Sequence, residues 1–189
     1  MTDAYFSVVG IDPSLTATGV VAIQSAEGAT GTRVHTFGRR GKTSEPLMTR
    51  LARLNDTVTA VQNVIRELVV YPDVITIESP AHNQTTGSHH DRSGLWWLLV
   101  RELTYEMGLK VVEIGPTQVK TYATGKGNAG KTEVMAAVIR RHLDVPITND
   151  NEADAFVLAA MGARLIGQPI EDSLPQTHLR AMDKVAPHD

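Results

Sequence analysis

The chain has 189 residues, 42% apolar and 21% charged, an ordinary composition for one soluble domain with a buried core. It contains no cysteine, which excludes disulfides, thiolate metal sites and cysteine nucleophiles, so a metal would need oxygen or imidazole ligands. The net charge is −3, no apolar run reaches membrane-span length, and the N-terminus MTDAYFSVVG lacks a signal-peptide layout, which predicts a cytoplasmic protein.

Tyr5–Asp12 is a short apolar run ending in Gly10–Ile11–Asp12–Pro13, which predicts a buried strand and a turn. Thr18–Gln24 reads as a second strand, hairpinned to the first, and Arg33–Phe37 as a weaker third. Leu47, Leu51, Leu54, Val58, Val61, Ile65 and Leu68 recur at spacings of four and three, one apolar face of a helix. Ser44 is placed to cap it, with Pro46 in the first turn.

Val74–Glu78 (VITIE) is a β-branched run ending in a carboxylate, the pattern of a central strand. Residues 79–93 read as a polar loop, Leu95–Met107 as a helix and Lys110–Ile114 as a strand. Helices follow over Pro116–Tyr122, Lys131–Leu143 and Asn151–Ile166. Beyond residue 167 the chain turns polar, with Pro169, Pro175 and Pro187, so the expected domain is 1–167 with a loose tail over 168–189. Three antiparallel-type strands, then alternating helices and strands, predict an α/β mixed five-stranded sheet with helices on both faces. The first and fourth strands then lie side by side at its centre, with Asp12 and Glu78 at neighbouring ends.

Asp12 and Glu78 each end an apolar strand, and Asp154 lies on an amphipathic helix. Read singly, Asp12 before Pro13 is equally a turn residue, Glu78 a solvated strand end and Asp154 a helix-surface acid. Read together, carboxylates converging from two strand ends and a helix are what two divalent ions need to hydrolyse a phosphodiester, and oxygen ligands favour Mg²⁺ or Mn²⁺. Although the chain is acidic overall, its bases cluster. Arg33, Arg39, Arg40, Lys42, Arg50 and Arg53 stand against Glu45 alone, and a second group runs from Lys110 through Lys120, Lys126 and Lys131 to Arg140 and Arg141. Such stripes suit nucleic-acid phosphates, or else solvated helix faces.

Gly125–Thr132, GKGNAGKT, fits the phosphate-binding pattern G-x-x-x-x-G-K-[ST] of P-loop ATPases. A working P-loop joins a buried strand to a helix, whereas Lys120–Thr124 lacks a β-branched apolar run, and no downstream strand supplies a second acid. The same glycines, with Lys126 and Lys131 at a helix N-terminus, suit a DNA phosphate. Sugar and acetate kinases of the actin-like class share the opening G-I-D hairpin but need a second such domain, for which 189 residues are too few.

VVGIDPSLTATGVVAI resembles the opening hairpin of RuvC-type Holliday junction resolvases, of the RNase H-like superfamily. VVEIGPTQVKTYATGKGNAGKTEVMAAVI resembles the family's middle block more specifically, matching it at Pro116, Val119–Lys120, Thr124–Gly125, Gly127, Ala129, Lys131 and Val134. The likeness runs from about Tyr5 to Gly167. It implies a homodimer that resolves four-way DNA junctions by paired nicks leaving 5′-phosphate and 3′-hydroxyl ends, with two Mg²⁺ or Mn²⁺ ions per site. Asp12, Glu78 and Asp154 fall at the family's catalytic carboxylates, and Lys120 and Lys131 among its DNA-binding and catalytic lysines. Where the family carries a carboxylate or histidine three residues before the last aspartate, this chain has Asn151; Asn151 or Asp150 shares a helix face with Asp154, whereas Glu152 points elsewhere. Asp150 is alternatively a helix cap. The family's aromatic wedge is replaced by Ala81, beside His82; His89, His90 and Arg92 in the same loop are candidate contacts to bases or phosphates. Trp96–Trp97 is a candidate dimer contact or core. The departures point to a bacteriophage member with broader branch specificity. A non-catalytic module binding branched nucleic acid is the remaining alternative.

Overall fold

The computed structural model describes residues 5–26, 29–80 and 88–185. Five strands form one sheet among the described residues: β1 (Phe6–Asp12), β2 (Thr18–Ala26), β3 (Ala29–Phe37), β4 (Val74–Glu78) and β5 (Val111–Ile114), in the order β3-β2-β1-β4-β5. The β1–β2 and β2–β3 pairings are antiparallel, whereas β1–β4 and β4–β5 are parallel, as expected.

Alternation along the strands sends successive side chains to opposite faces. Val9, Ile11, Val20, Ala22, Ile75 and Ile77 meet α1 (Leu47–Arg66) and α2 (His89–Arg101) on one face. Val8, Val21, Ile23, Val74, Val112 and Ile114 meet α3 (Pro116–Thr124), α4 (Lys131–Arg141) and α5 (Asp150–Leu165) on the other. No residue of β1 is exposed, because both faces of that central strand are covered.

Helix α5 lies unusually close to the sheet, and two glycines make that approach possible. A Cβ at Gly10 would sit 2.0 Å from the Ala155 carbonyl oxygen, and one at Gly19 would sit 2.2 Å from that of Asn151. Thr76, in β4, donates its hydroxyl to the Leu158 carbonyl at 2.8 Å, fixing the helix along its length. Side-chain-free positions on β1 and β2 therefore set how near α5 brings its acids to the strand ends.

Three local expectations change. Residues 89–93 are helical rather than loop, since α2 begins at His89, and the turn Glu102–Glu106 that follows α2 is wound as a π-helix. The early start has a tertiary cause: Asp91 is buried and accepts from Arg50 and Arg53 of α1. Pro46, not Ser44, precedes the first turn of α1, and Leu47 at the start of its apolar stripe is exposed together with Met48. Over the described residues 168–185 the chain is packed, not loose. Glu171, His178, Ala181 and Val185 are buried, and a short helix α6 (Gln176–Leu179) lies on α3. Polar composition concealed this because Glu171 and His178 are satisfied by specific partners, Tyr122, Arg164 and the Tyr122 carbonyl.

Candidate active site

The parallel β1–β4 register sets Ile11 beside Ile77, so the next residues, Asp12 and Glu78, are neighbours at the carboxyl ends of two central strands. Asp154, one turn into α5, and Asn151, in its first turn, face the same cavity of about 360 Å³. Lys120 of α3, Lys131 at the start of α4, and His89 and Arg92 of α2 supply its basic lining. One cavity thus gathers residues that the sequence scatters over 143 positions, from Asp12 to Asp154 counted inclusively.

The electrostatics are those of anions crowded in a poorly hydrated place. Burial raises the Asp154 carboxyl to about 7, helped by the charge of Asp12 and opposed by Lys131 and Lys120. Burial also raises Glu78, and the charges of Asp12 and Asp154 push it further, to about 9. Asp12 is raised less, to about 6, because its neighbour Glu78 and the charge of Lys131 offset part of its desolvation. Among the described residues, no three acidic or imidazole side chains are drawn together tightly enough to enclose an ion. The carboxylates line the cavity wall, where their mutual repulsion disfavours ionising all three at once. The donor set nonetheless fits a hard divalent cation: three carboxylates and one amide, all oxygen ligands, each carboxylate less stable as an anion than in water.

Other expected participants are placed differently. Asp150 does not cap α5; Asn149 does, accepting from the Glu152 amide at 3.0 Å. Asp150 instead accepts from Lys131 at 2.5 Å, an ion pair that lowers the carboxyl and raises the amine. Glu152 turns away, as its spacing required, and takes hydrogen bonds from Thr36 at 2.7 Å and the Thr148 amide at 2.6 Å. Lys126 pairs with Glu133 at 3.2 Å and does not line the cavity. Arg39 pairs with Asp56, while Arg40 and Lys42 are exposed on the β3–α1 connection. Arg53 is buried between Glu45 and Asp91, and Arg50 is also bound to Asp91. Part of the basic cluster is therefore internal structure rather than open phosphate-binding surface. Ala81 and His82 lie outside the described residues.

One feature escaped sequence reading, and one expectation is borne out. Trp96 is buried and donates its indole N–H to the Glu78 carbonyl at 2.9 Å, while Trp97 is exposed and stacks edge-on against it. The tandem pair gave no sign which ring faced inward. The GKGNAGKT segment joins α3 to α4, helix to helix, with Gly125 ending α3 at φ +80°. It lacks the strand that aims a P-loop at a nucleotide, which removes the ATPase reading.

A family model described as crossover junction endodeoxyribonuclease RuvC matches residues 8–161. The chain belongs to the RuvC family. It is 31% identical over 156 residues to the RuvC crossover junction endodeoxyribonuclease of Mycobacterium ulcerans, covering 80% of each chain. With the RuvC of a Synechococcus species it shares 28% over 161 residues, covering 82% of this chain and 96% of that one. Thermus thermophilus RuvC, solved in complex with a Holliday junction substrate, superposes with a TM-score of 0.60 and 26% identity over 86% of this chain and 97% of its own. The mixed sheet order β3-β2-β1-β4-β5 of this RuvC-family chain is accordingly an RNase H-like fold.

Proposed function

We infer that this RuvC-family chain is a structure-selective endodeoxyribonuclease that resolves four-way DNA junctions by paired symmetric nicks. The observation that carries the reading is the single cavity in which carboxylates from β1, β4 and α5 face Lys120 and Lys131. Asp12, Glu78 and Asp154, with the Asn151 amide as a neutral fourth donor, would hold two Mg²⁺ or Mn²⁺ ions. Such ions, when bound, supply Lewis acidity for attack on the scissile phosphate and for departure of the leaving oxygen. The protein's own groups do the rest. Trp96 pins the Glu78 backbone, so that carboxylate is held at the strand end. Lys131 and Lys120 oppose charge gathering on the phosphoryl oxygens, the role of preorganised cations. Lys131 exchanges its present partner, Asp150, for phosphate. His89 and Arg92, at the cavity mouth, bind the flanking strand, with Arg40 and Lys42 further out.

Paired nicks in a two-fold symmetric substrate call for two sites related by the same symmetry, hence a homodimer. Exposed Leu47 and Met48 of α1 and Trp97 of α2, on helices packed against each other, are apolar side chains available for it. The reading is tested by incubating the protein with labelled four-way junctions, forks, flaps and linear duplexes, with Mg²⁺ or Mn²⁺. Symmetric nicks leaving 5′-phosphate ends on the junction are expected. Tight junction binding with no cleavage under either metal would identify a binding module instead.

A further inference from the structure

The segment after α5 lies beyond the residues that the family model matches, yet it is bound to the back of a helix that faces the cavity. Its path begins at α5, where Arg164 donates to Glu171 at 2.9 Å and to the Tyr122 hydroxyl at 2.9 Å. Tyr122 in turn donates to Glu171 at 2.9 Å, closing a buried triangle between α5, the segment and α3. The chain then runs along α3. The His178 ring nitrogen Nδ1 lies 2.7 Å from the Tyr122 carbonyl, and since a carbonyl only accepts, Nδ1 carries the proton. Gln118 donates to the Ala181 carbonyl at 3.1 Å.

Gln118 and Tyr122 are one turn apart on α3, and so are Pro116 and Lys120, the two α3 residues in the cavity lining. The two pairs lie about 200° apart around the helix, so the segment grips one side while Lys120 leaves from the other. We propose that residues 168–185 are a strap that clamps α3 to α5 and thereby holds Lys120 at its distance from Asp154, with His178 and Tyr122 as positioning residues for cleavage. This rests on the nuclease reading given above for its catalytic consequence, but not for its geometry. Lys120, Glu78 and Asp154 line the same cavity, so a shift of α3 displaces the amine relative to both carboxyl groups.

Two measurements on the full chain test the strap. In single-turnover cleavage of a synthetic four-way junction, His178→Ala is expected to slow the cut by about tenfold, while in a Lys120→Ala background it costs less than about twofold more. His178→Asn, whose amide N–H replaces Nδ1–H, is expected to restore the rate, and Tyr122→Phe to behave as His178→Ala does. Additive losses, or failure of asparagine to rescue, would show that the segment contributes stability alone. The second measurement needs no activity. The chain has no cysteine, so a nitroxide on Lys120→Cys is a unique probe. Its electron-spin spectrum is expected to sharpen with His178→Ala and with Tyr122→Phe, and to return with His178→Asn. An unchanged spectrum in the folded variants overturns the strap whether or not DNA is cut. Absence of cleavage by the unaltered chain, with the spectral change present, would instead overturn the nuclease reading alone.

Discussion

At Asp12 the carboxylate serves a site whose acids are costly to ionise, and activity and stability should therefore separate. Asp12→Asn is expected to lower junction cleavage by more than about a hundredfold while leaving junction affinity within a few-fold, measured by single-turnover cleavage and by metal-free binding. Retained cutting would reassign the site. The raised carboxyls also predict a pH dependence for the metal-free protein. A carboxyl raised by folding holds its proton in the folded state after the unfolded chain has released it, so the folded state binds more protons and loses stability as pH rises. The loss begins near the ordinary carboxylate range, about 4, and continues through about 7 for Asp154 and higher for Glu78. Melting temperature should fall between about pH 5 and pH 9, by roughly 2–4 °C for each kcal/mol, and added Mg²⁺ should recover it. Glu78→Gln, which cannot ionise, should flatten the curve. A melting temperature independent of pH would contradict the crowding of charge described above.

Among the elements, α5 decides whether the acids meet. Its distance from the sheet is set at Gly10 and Gly19, where a methyl group would collide with helix backbone rather than with a flexible side chain. Gly10→Ala is expected to lift α5, destabilising by about 1–3 kcal/mol in urea unfolding and reducing cleavage by more than that loss accounts for. Activity equal to that of the unaltered chain would mean that the distance of α5 from β1 does not matter. The start of α2 depends on another contact. Removing the Asp91 carboxylate leaves the buried Arg53 guanidinium with Glu45 alone, so Asp91→Ala is expected to cost about 3–5 kcal/mol and to disturb His89 and Arg92 at the cavity mouth.

For the whole molecule, symmetry and charge are the relevant quantities. If α1 and α2 form the dimer face, replacing Met48 and Trp97 together by alanine should shift sedimentation towards the monomer and replace paired nicks by single ones. A dimer undisturbed by that change would place the interface elsewhere. Junction binding should weaken steeply with salt. Because Arg50 and Arg53 are engaged internally, Arg40→Ala and Lys42→Ala should each reduce the salt slope by about one, whereas Arg53→Ala should reduce stability instead.

Local pattern was enough for the five strands and the longer helices, and it set Asp12 and Glu78 at strand ends. Val74–Glu78 was legible to the residue, because a β-branched run closed by a charge has few other uses, and Asp12 was legible because Pro13 ends the strand behind it. The order of strands followed from the succession of elements, since parallel pairing needs a crossover and antiparallel pairing does not. Tertiary structure alone decided which bases are free. Arg53 and Arg39 look alike in a basic stretch, but one is buried against Asp91 and the other pairs at the surface with Asp56. It also decided that Trp96 faces inward, that Lys131 rests on Asp150, and that a polar tail is packed. In each case the deciding partner is distant in sequence, and a charge or a hydroxyl carries no mark of whether water or another side chain will satisfy it. The carboxylates at the strand ends belong to the first kind of knowledge; their crowding with Asp154 into one cavity belongs to the second.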